Sequence, residues 1–195
     1  MAKPLWNDAD EKILSEKEFF LAKARVSEKI HAILMEVGEY LNSHFYDHLL
    51  IGKILKNTSY KISRGENLKG MPYFVLDVPT LKSNHSYFSF RIIVWWGNYI
   101  TINLLLSGEH LLHFKDTINS NLKEKNFPEL LISIADDAWS HPIDEKDYLP
   151  ATKWNSKEKQ IGDYFKATFR IPLEQMPNLE KVAESSCEVL LKLLK

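Results

Sequence analysis

Two adjacent carboxylates and an imidazole lie close together in the segment Asp136-Asp137-Ala138-Trp139-Ser140-His141. Carboxylates beside an imidazole can bind a cation or relay a proton. The segment follows residues 130–135, an apolar run that predicts a buried strand, and functional side chains often lie just past a strand end. Asp and Ser are also common turn residues, so an ordinary turn is the alternative. On this pattern Asp136, Asp137 and His141 are the catalytic candidates.

A second pattern of reactive groups is the pair His44 and His48, with Asp47 between them. Residues four apart share a helix face, so both imidazoles could reach one divalent metal. The sequence is not the His-Glu-x-x-His of metalloproteases, and a catalytic zinc site also needs a third protein ligand. These two histidines are the metal candidates, with surface residues as the alternative, and no cofactor is predicted.

Two charges stand within apolar strand patterns, Asp77 and Arg91. A buried charge is costly unless it is paired. We therefore expect the two side chains to face one another, or to face a pocket where a ligand binds.

Other polar and aromatic residues extend this binding hypothesis. Arg64-Gly65-Glu66-Asn67 reads as a polar loop between two strands, where an arginine could recognise a carboxylate or phosphate. Trp95 and Trp96 offer stacking surfaces, with ordinary core packing as the alternative. The ligand-binding candidates are Arg64, Asn67, Tyr73, Asp77, Arg91, Trp95, Trp96 and Trp139.

The elements that must position these residues follow from hydrophobic periodicity. Apolar residues spaced three and four apart between residues 26 and 41 predict helix, although one helix or two over residues 8–50 stays open. Asp8 and Ser15 are the candidate N-caps, and Ser15 with Glu18 forms a capping-box pattern. A final helix is predicted from about Pro177 to the C-terminus.

Between the helices the sequence predicts antiparallel strands. Residues 87–96 and 99–106 read as a hairpin with a two-residue turn at Gly97-Asn98, which places Trp96 opposite Tyr99. Neither face of this hairpin is plainly solvated, so helices should cover one face and a loop, ligand or second subunit the other. The predicted fold is α+β, mainly an antiparallel sheet with N-terminal helix or helices and a C-terminal helix packed on one face.

Composition narrows the function classes. The chain has 195 residues, which suits a single domain over residues 1–195, and 25 basic against 26 acidic side chains. That balance gives no reason to expect binding to nucleic acid or to a membrane surface. One cysteine, Cys187, and the lack of a signal-peptide pattern or an apolar run of about 18 residues predict a cytoplasmic protein.

Three segments resemble a family of uncharacterised bacterial proteins with no assigned activity. They are residues 61–73, from Lys61-Ile62-Ser63-Arg64-Gly65-Glu66-Asn67 to Gly70 and Pro72-Tyr73; Phe90-Arg91 through Trp95-Trp96-Gly97-Asn98; and Asp136-Asp137 with Trp139. The resemblance covers roughly residues 55–195 and implies a bacterial, cytoplasmic protein. It supplies no catalytic residues.

No familiar catalytic motif is present, whether Gly-x-Ser-x-Gly, Cys-x-x-Cys, a P-loop or an EF-hand. Whether the chain is an enzyme is therefore left open. The sequence favours a non-catalytic module whose sheet face binds a small molecule or a protein, with a homodimer as one such arrangement. The alternative is a small hydrolase, metal-assisted or not, that uses Asp136, Asp137 and His141.

Overall fold

The computed structural model describes residues 5–47, 59–82, 86–124, 126–155 and 160–195. Its helices are α1 (Asp8–Ser15), α2 (Lys17–Asp47), α3 (Gly108–Glu124) and α4 (Leu179–Leu191). Its strands are β1 (Lys61–Leu68), β2 (Met71–Lys82), β3 (Tyr87–Trp95), β4 (Tyr99–Ser107), β5 (Leu131–Ser133), β6 (Tyr148–Pro150) and β7 (Tyr164–Ile171). The predicted α+β class is confirmed.

The seven strands form one antiparallel sheet in the order β1-β2-β3-β4-β7-β5-β6. Strands β1 to β4 follow one another as a meander. Strand β7 then pairs with β4, and the β5-β6 hairpin pairs with β7. Because β7 lies between β4 and β5, its side chains are flanked by side chains of both neighbouring strands.

Helices α2, α3 and α4 share one face of the sheet with the main hydrophobic core. The stripe on α2 has the predicted spacing and is buried at Ile30, Leu34, Val37 and Leu41. At its end the Phe45 ring stacks on Phe90 of β3, with centroids 4.5 Å apart. Side chains of α3 and α4, including the fully buried Cys187, belong to the same cluster. The predicted covering of one face by helices is thereby confirmed.

The N-terminal region forms two helices, which separate at Glu16. The N-cap of α1 is Asn7, one residue before the predicted Asp8, and Asn7 forms a capping box with Asp10. The predicted capping box at Ser15 is wrong. Ser15 is the last residue of α1, and its hydroxyl donates to the Lys12 carbonyl at 3.0 Å.

The β3-β4 hairpin is present, but its predicted two-residue turn is wrong. Residues 96–98 form a three-residue connection in which Gly97 has a φ of 68°, so Trp95 rather than Trp96 lies opposite Tyr99. A register shift of one residue changes the cross-strand partner of every residue in the hairpin. Because side chains alternate between the two faces, it also changes which residues of β3 and β4 share a face. Arg91 consequently lies beside Asn103, whereas the predicted register placed it beside Leu104.

Within the described residues, no helix combines the length and apolar character needed to cross a bilayer.

Candidate functional site

The sheet face opposite the helices is buried and polar, and we call it the polar face. One row crosses four strands in register, with Asp77 on β2, Arg91 on β3, Asn103 on β4 and Thr168 on β7. A neighbouring row places Ser89 and Leu105 beside Lys166 of β7. A buried layer of this kind is stable only if its polar groups are paired.

Asp77 and Arg91 form the ion pair that the sequence predicts. Arg91 donates through Nε to Asp77 Oδ1 at 2.6 Å and through Nη2 to Oδ2 at 2.9 Å. The hydroxyl of Tyr87 lies beside both, accepting from Arg91 Nη2 at 3.2 Å. Burial opposes the charge on Arg91, but the hydrogen bonds and charge of Asp77 outweigh it and raise the Arg91 pKa. This pair is neutral as a unit and satisfied within the chain.

The polar side chains in the middle of this row are also hydrogen-bonded. Asn103 Nδ2 donates to the Arg91 carbonyl at 2.7 Å and to Thr101 Oγ1 at 3.0 Å, while Thr168 donates to Asn103 Oδ1 at 2.9 Å. These bonds fix β3, β4 and β7 in register from the polar side. They act structurally and leave little capacity for a ligand.

A loop, residues 134–147 between β5 and β6, covers part of the polar face. Its base is closed by Ile134 N–H, which donates to the Asp147 carbonyl at 2.8 Å. Tyr164 donates to the Ala135 carbonyl, and Ile143 N–H donates to the Tyr99 hydroxyl at 2.8 Å. The sequence predicted a loop, a ligand or a second subunit on this face, and the structure places a loop there.

Trp139, one of the predicted binding residues, joins this loop to the ion pair. Its ring lies 4.7 Å from the Arg91 guanidinium carbon and 5.2 Å from the Tyr87 ring in an edge-to-face arrangement. The side chain is still 45% exposed. It therefore shields Arg91 on one side and presents its other side to solvent.

Lys166 brings a further positive charge to the polar face. Its side chain is 2% exposed, and its Nζ donates to the Ser140 carbonyl at 2.6 Å. The Tyr148 ring lies 5.7 Å from Nζ. In the described part of the chain it forms no ion pair. Burial, together with the charge of Arg91, lowers its pKa from 10.5 to about 8, although Asp137 acts in the opposite direction.

His141 belongs to loop 134–147 and lies close enough to Lys166 and Arg91 for their charges to act on it. Burial, then the positive charges of Lys166 and Arg91, lower its pKa from 6.5 to about 3, so the imidazole is neutral at pH 7. Its Nδ1 is buried and has no hydrogen-bond partner among the residues described. Lys166, Arg91 and His141 thus bring three nitrogen groups, two of them charged, beneath one loop.

The structure does not assemble the predicted catalytic trio by hydrogen bonds. Asp137 is exposed, and its Oδ1 accepts from Trp139 N–H at 2.9 Å, a turn-forming contact. Asp136 is also exposed and lines a separate pocket of about 350 Å³ with Trp154 and Tyr164. No hydrogen bond joins either carboxylate to His141 in the described residues.

Arg64 and Asn67 lie outside the polar face, and the predicted loop around them is wrong. Residues 64–67 belong to β1, and the turn comes later at Lys69-Gly70, whose φ angles of 50° and 82° suit a tight hairpin. Arg64 is exposed in a groove between α2 and β1. Asn67 Oδ1 accepts from Gly70 N–H at 3.0 Å and so stabilises the turn.

The remaining aromatic candidates serve packing. Tyr73 is half-buried and covers Gly65, where an added Cβ would come within 2.6 Å of its ring. Trp95 is buried and donates to the Leu68 carbonyl at 3.0 Å. Trp96 is half-buried in the turn and packs against the main core.

The metal candidates are only partly described. His44 stacks on Tyr40, with centroids 6.1 Å apart, and contacts Phe45 edge-on. His48 lies outside the described residues. Within those residues, no three His, Cys, Asp or Glu side chains are placed to hold a metal ion.

Sequence reasoning missed Lys166. A signal was present, because Tyr164, Lys166, Thr168 and Arg170 alternate with apolar residues along one strand. On an edge strand or an open sheet such a lysine would be solvated. It is buried because β7 lies between β4 and β5 and loop 134–147 covers it.

A scan against protein-family models and searches of curated proteins and of solved structures find no match to this chain. The resemblance to a family of uncharacterised bacterial proteins therefore stays a prediction, and function has to be argued from the site.

Proposed function

We propose that this chain is a non-catalytic binding module that takes a small oxyanion, a carboxylate or a phosphate group, at Lys166 beneath loop 134–147. The observation that carries the proposal is an almost fully buried ammonium whose hydrogen-bond acceptor is a neutral carbonyl. Burying an ammonium without a counter-ion costs several kcal/mol. A lysine retained at that cost is a candidate for function.

The chemistry favours exchange of the carbonyl for an anion. A carboxylate or phosphate adds the attraction between two full charges to its hydrogen bond with an ammonium, about 4 kcal/mol at 4 Å and an effective dielectric constant of 20, and a neutral carbonyl lacks this attraction. An oxyanion that replaced the Ser140 carbonyl would therefore bind Lys166 more strongly than the loop does. The loop would have to lift, and in the described residues the side chains of Tyr99, Tyr164 and Lys166 are among those that hold it by hydrogen bonds.

The neighbours of Lys166 support the same ligand class. Arg91 adds positive charge nearby, although its own hydrogen bonds go to Asp77 and Tyr87. His141 offers a buried, unpaired Nδ1, which donates a hydrogen bond in the tautomer of the neutral imidazole that carries its proton there. The ligand is thus a compact oxyanion rather than a cation or an apolar molecule.

Calorimetric titration tests the proposal. Acetate, benzoate, citrate, inorganic phosphate and phosphoserine are titrated into the protein at pH 7, with chloride at matched ionic strength as the reference. We expect saturable one-to-one binding of at least one of them. Lys166→Met should weaken it about 10- to 100-fold, since a hydrogen bond to a charged group contributes roughly 1.5–3 kcal/mol.

Lys146→Met is the matched control. Lys146 lies in the same loop with a side chain that is 75% exposed, so its substitution should leave affinity unchanged. Affinity should also fall above about pH 8, where Lys166 loses its proton. The proposal fails if none of the five anions binds, or if Lys166→Met binds as tightly as the natural protein.

The hydrolase alternative gains no support from the geometry. Asp136 and Asp137 are exposed and His141 is hydrogen-bonded to neither, so neither of these carboxylates orients the imidazole as a general base. Its test is ester or phosphoester hydrolysis, compared between the natural protein and His141→Gln. Turnover that disappears in His141→Gln would restore this alternative.

A further inference from the structure

The N-terminal helices leave an unusual amount of apolar surface exposed. No side chain of α1 is buried, and the apolar residues of the segment before and after Glu16 are open to solvent. Six of them form what we call the arm patch: Leu5, Trp6, Ile13, Leu14, Phe19 and Phe20. Five of the six, all but Phe19, line one hollow of about 390 Å³. Contiguous apolar patches on this scale mark interaction sites.

The arm patch extends the face of α2 that packs against the sheet. Farther along α2 the inward stripe is buried from Ile30 onward. We call residues 5–29, which precede it, the arm; its Lys23 pairs with Glu66 of β1 at 2.5 Å and fixes the arm to the sheet edge. Before Lys23 the same face of α2 leads to Phe20, where no element covers it among the described residues. At 1.5 Å per residue, the six residues of α2 before Lys23 and the eight residues of α1 contain roughly 20 Å of helix.

The charges of this arm are self-complementary. Residues 8–16 carry four carboxylates and one lysine, a formal charge of −3, whereas residues 17–29 carry four basic and two acidic side chains, a charge of +2. Two arms that pair antiparallel place the acidic half of each against the basic half of the other. That arrangement satisfies the two-fold symmetry of a homodimer, in which the same patch contacts itself.

The area also fits a second copy. Full burial of an aromatic side chain removes about 150–250 Å². On that scale, the exposed fractions of the arm patch and its aliphatic neighbours amount to roughly 600–900 Å² per copy. A standard interface buries about 800 Å² per partner. A membrane surface fits less well, because residues 5–29 carry a net charge of −1 and anionic lipids attract basic segments.

We propose that the arm patch is the interface of an antiparallel homodimer, formed by α1 and the first turns of α2 from two copies of this chain. The interface is separate from the oxyanion site, so either proposal can fail without the other. The arm lies outside the helix-covered core, and its residues are free to contact a partner without unfolding the sheet.

Sedimentation and light scattering across a range of protein concentrations test the dimer. The natural protein should be dimeric, and the double variant Leu14→Glu/Phe20→Glu should be monomeric. Leu14 is 67% exposed, so its substitution should leave the fold intact, which circular dichroism checks. Leu112→Glu is the matched control, since Leu112 of α3 is 73% exposed and lies outside the arm; it should remain dimeric.

Charge exchange tests the antiparallel arrangement. Glu11→Lys/Glu16→Lys makes residues 8–16 basic, and Arg25→Glu/Lys29→Glu makes residues 17–29 acidic. Each variant alone should dimerise at least tenfold more weakly, and an equimolar mixture should restore a mixed dimer. A natural protein that is monomeric at every concentration, whether or not it binds phosphatidylcholine or phosphatidylserine vesicles, overturns the proposal. A dimer that survives Leu14→Glu/Phe20→Glu overturns it as well.

Discussion

Replacement of Lys166 by methionine removes a buried positive charge and keeps an unbranched side chain of similar length. In the folded chain the pKa of Lys166 is lowered from 10.5 to about 8, mainly by burial. At 1.36 kcal/mol for each pKa unit, the charged form is disfavoured by about 3 kcal/mol relative to the neutral form. The lost bond from the charged ammonium to the Ser140 carbonyl, 2.6 Å in length, offsets about 1.5 kcal/mol of this. At pH 7 we therefore expect Lys166→Met to be more stable than the natural protein by about 1.5 kcal/mol.

The sign of the pH dependence follows from proton binding. Between about pH 8 and 10.5 the unfolded chain holds a proton on Lys166 that the folded chain has lost, so folding stability rises with pH across that window. Relative to that of Lys166→Met, the free energy of unfolding of the natural protein should rise by about 3 kcal/mol between pH 7 and 10.5. The natural protein should therefore be the more stable of the two at pH 10.5.

Urea unfolding, followed by tryptophan fluorescence between pH 7 and 10.5, measures this difference. Lys146→Met is the control, because its exposed side chain gives no such dependence. A difference in free energy of unfolding that stays constant over the whole pH range would contradict a lowered pKa of Lys166, as would a Lys166→Met protein that is less stable at pH 7.

Two further predictions concern neighbours of Lys166. His141 has a folded pKa of about 3, so stability is lost as pH falls from 6.5 toward 3, where only the unfolded chain gains the proton. His141→Gln should remove roughly 2–4 kcal/mol of that loss in acid unfolding curves, and parallel curves would contradict the assignment. Asp77→Asn leaves the buried Arg91 without its counter-ion and should cost about 3–5 kcal/mol, measured by urea unfolding. The double variant Asp77→Leu/Arg91→Met should recover at least half of that cost, because an apolar pair replaces an ion pair at little expense; equal losses in both would contradict this view.

The parts of the fold that depend on local pattern were predictable. The stripe on α2, the strands β3 and β4 and the closing helix all follow from apolar spacing that repeats over at least two turns or several residue pairs. The pairing of Asp77 with Arg91 was also accessible, because two isolated charges in apolar strands have few other ways to be satisfied.

The candidate site was not predictable to the same degree, for two physical reasons. A three-residue turn in place of a two-residue turn shifts the β3-β4 register by one, which moves Arg91 from an aliphatic row to the polar face. The burial of Lys166 depends on the position of β7 between β4 and β5, a long-range feature that no local window contains. Register and strand order together decide which polar residues meet.

The most direct measurement is the titration of the Lys166 side-chain nitrogen by NMR, assigned through Lys166→Met and repeated with an oxyanion that binds. We predict a pKa near 8 in the free protein, because the ammonium is buried and forms no ion pair within the part of the chain that the structure describes, and a rise toward 10.5 when the anion is bound. A pKa near 10.5 in the free protein, or one that no bound anion changes, would contradict it.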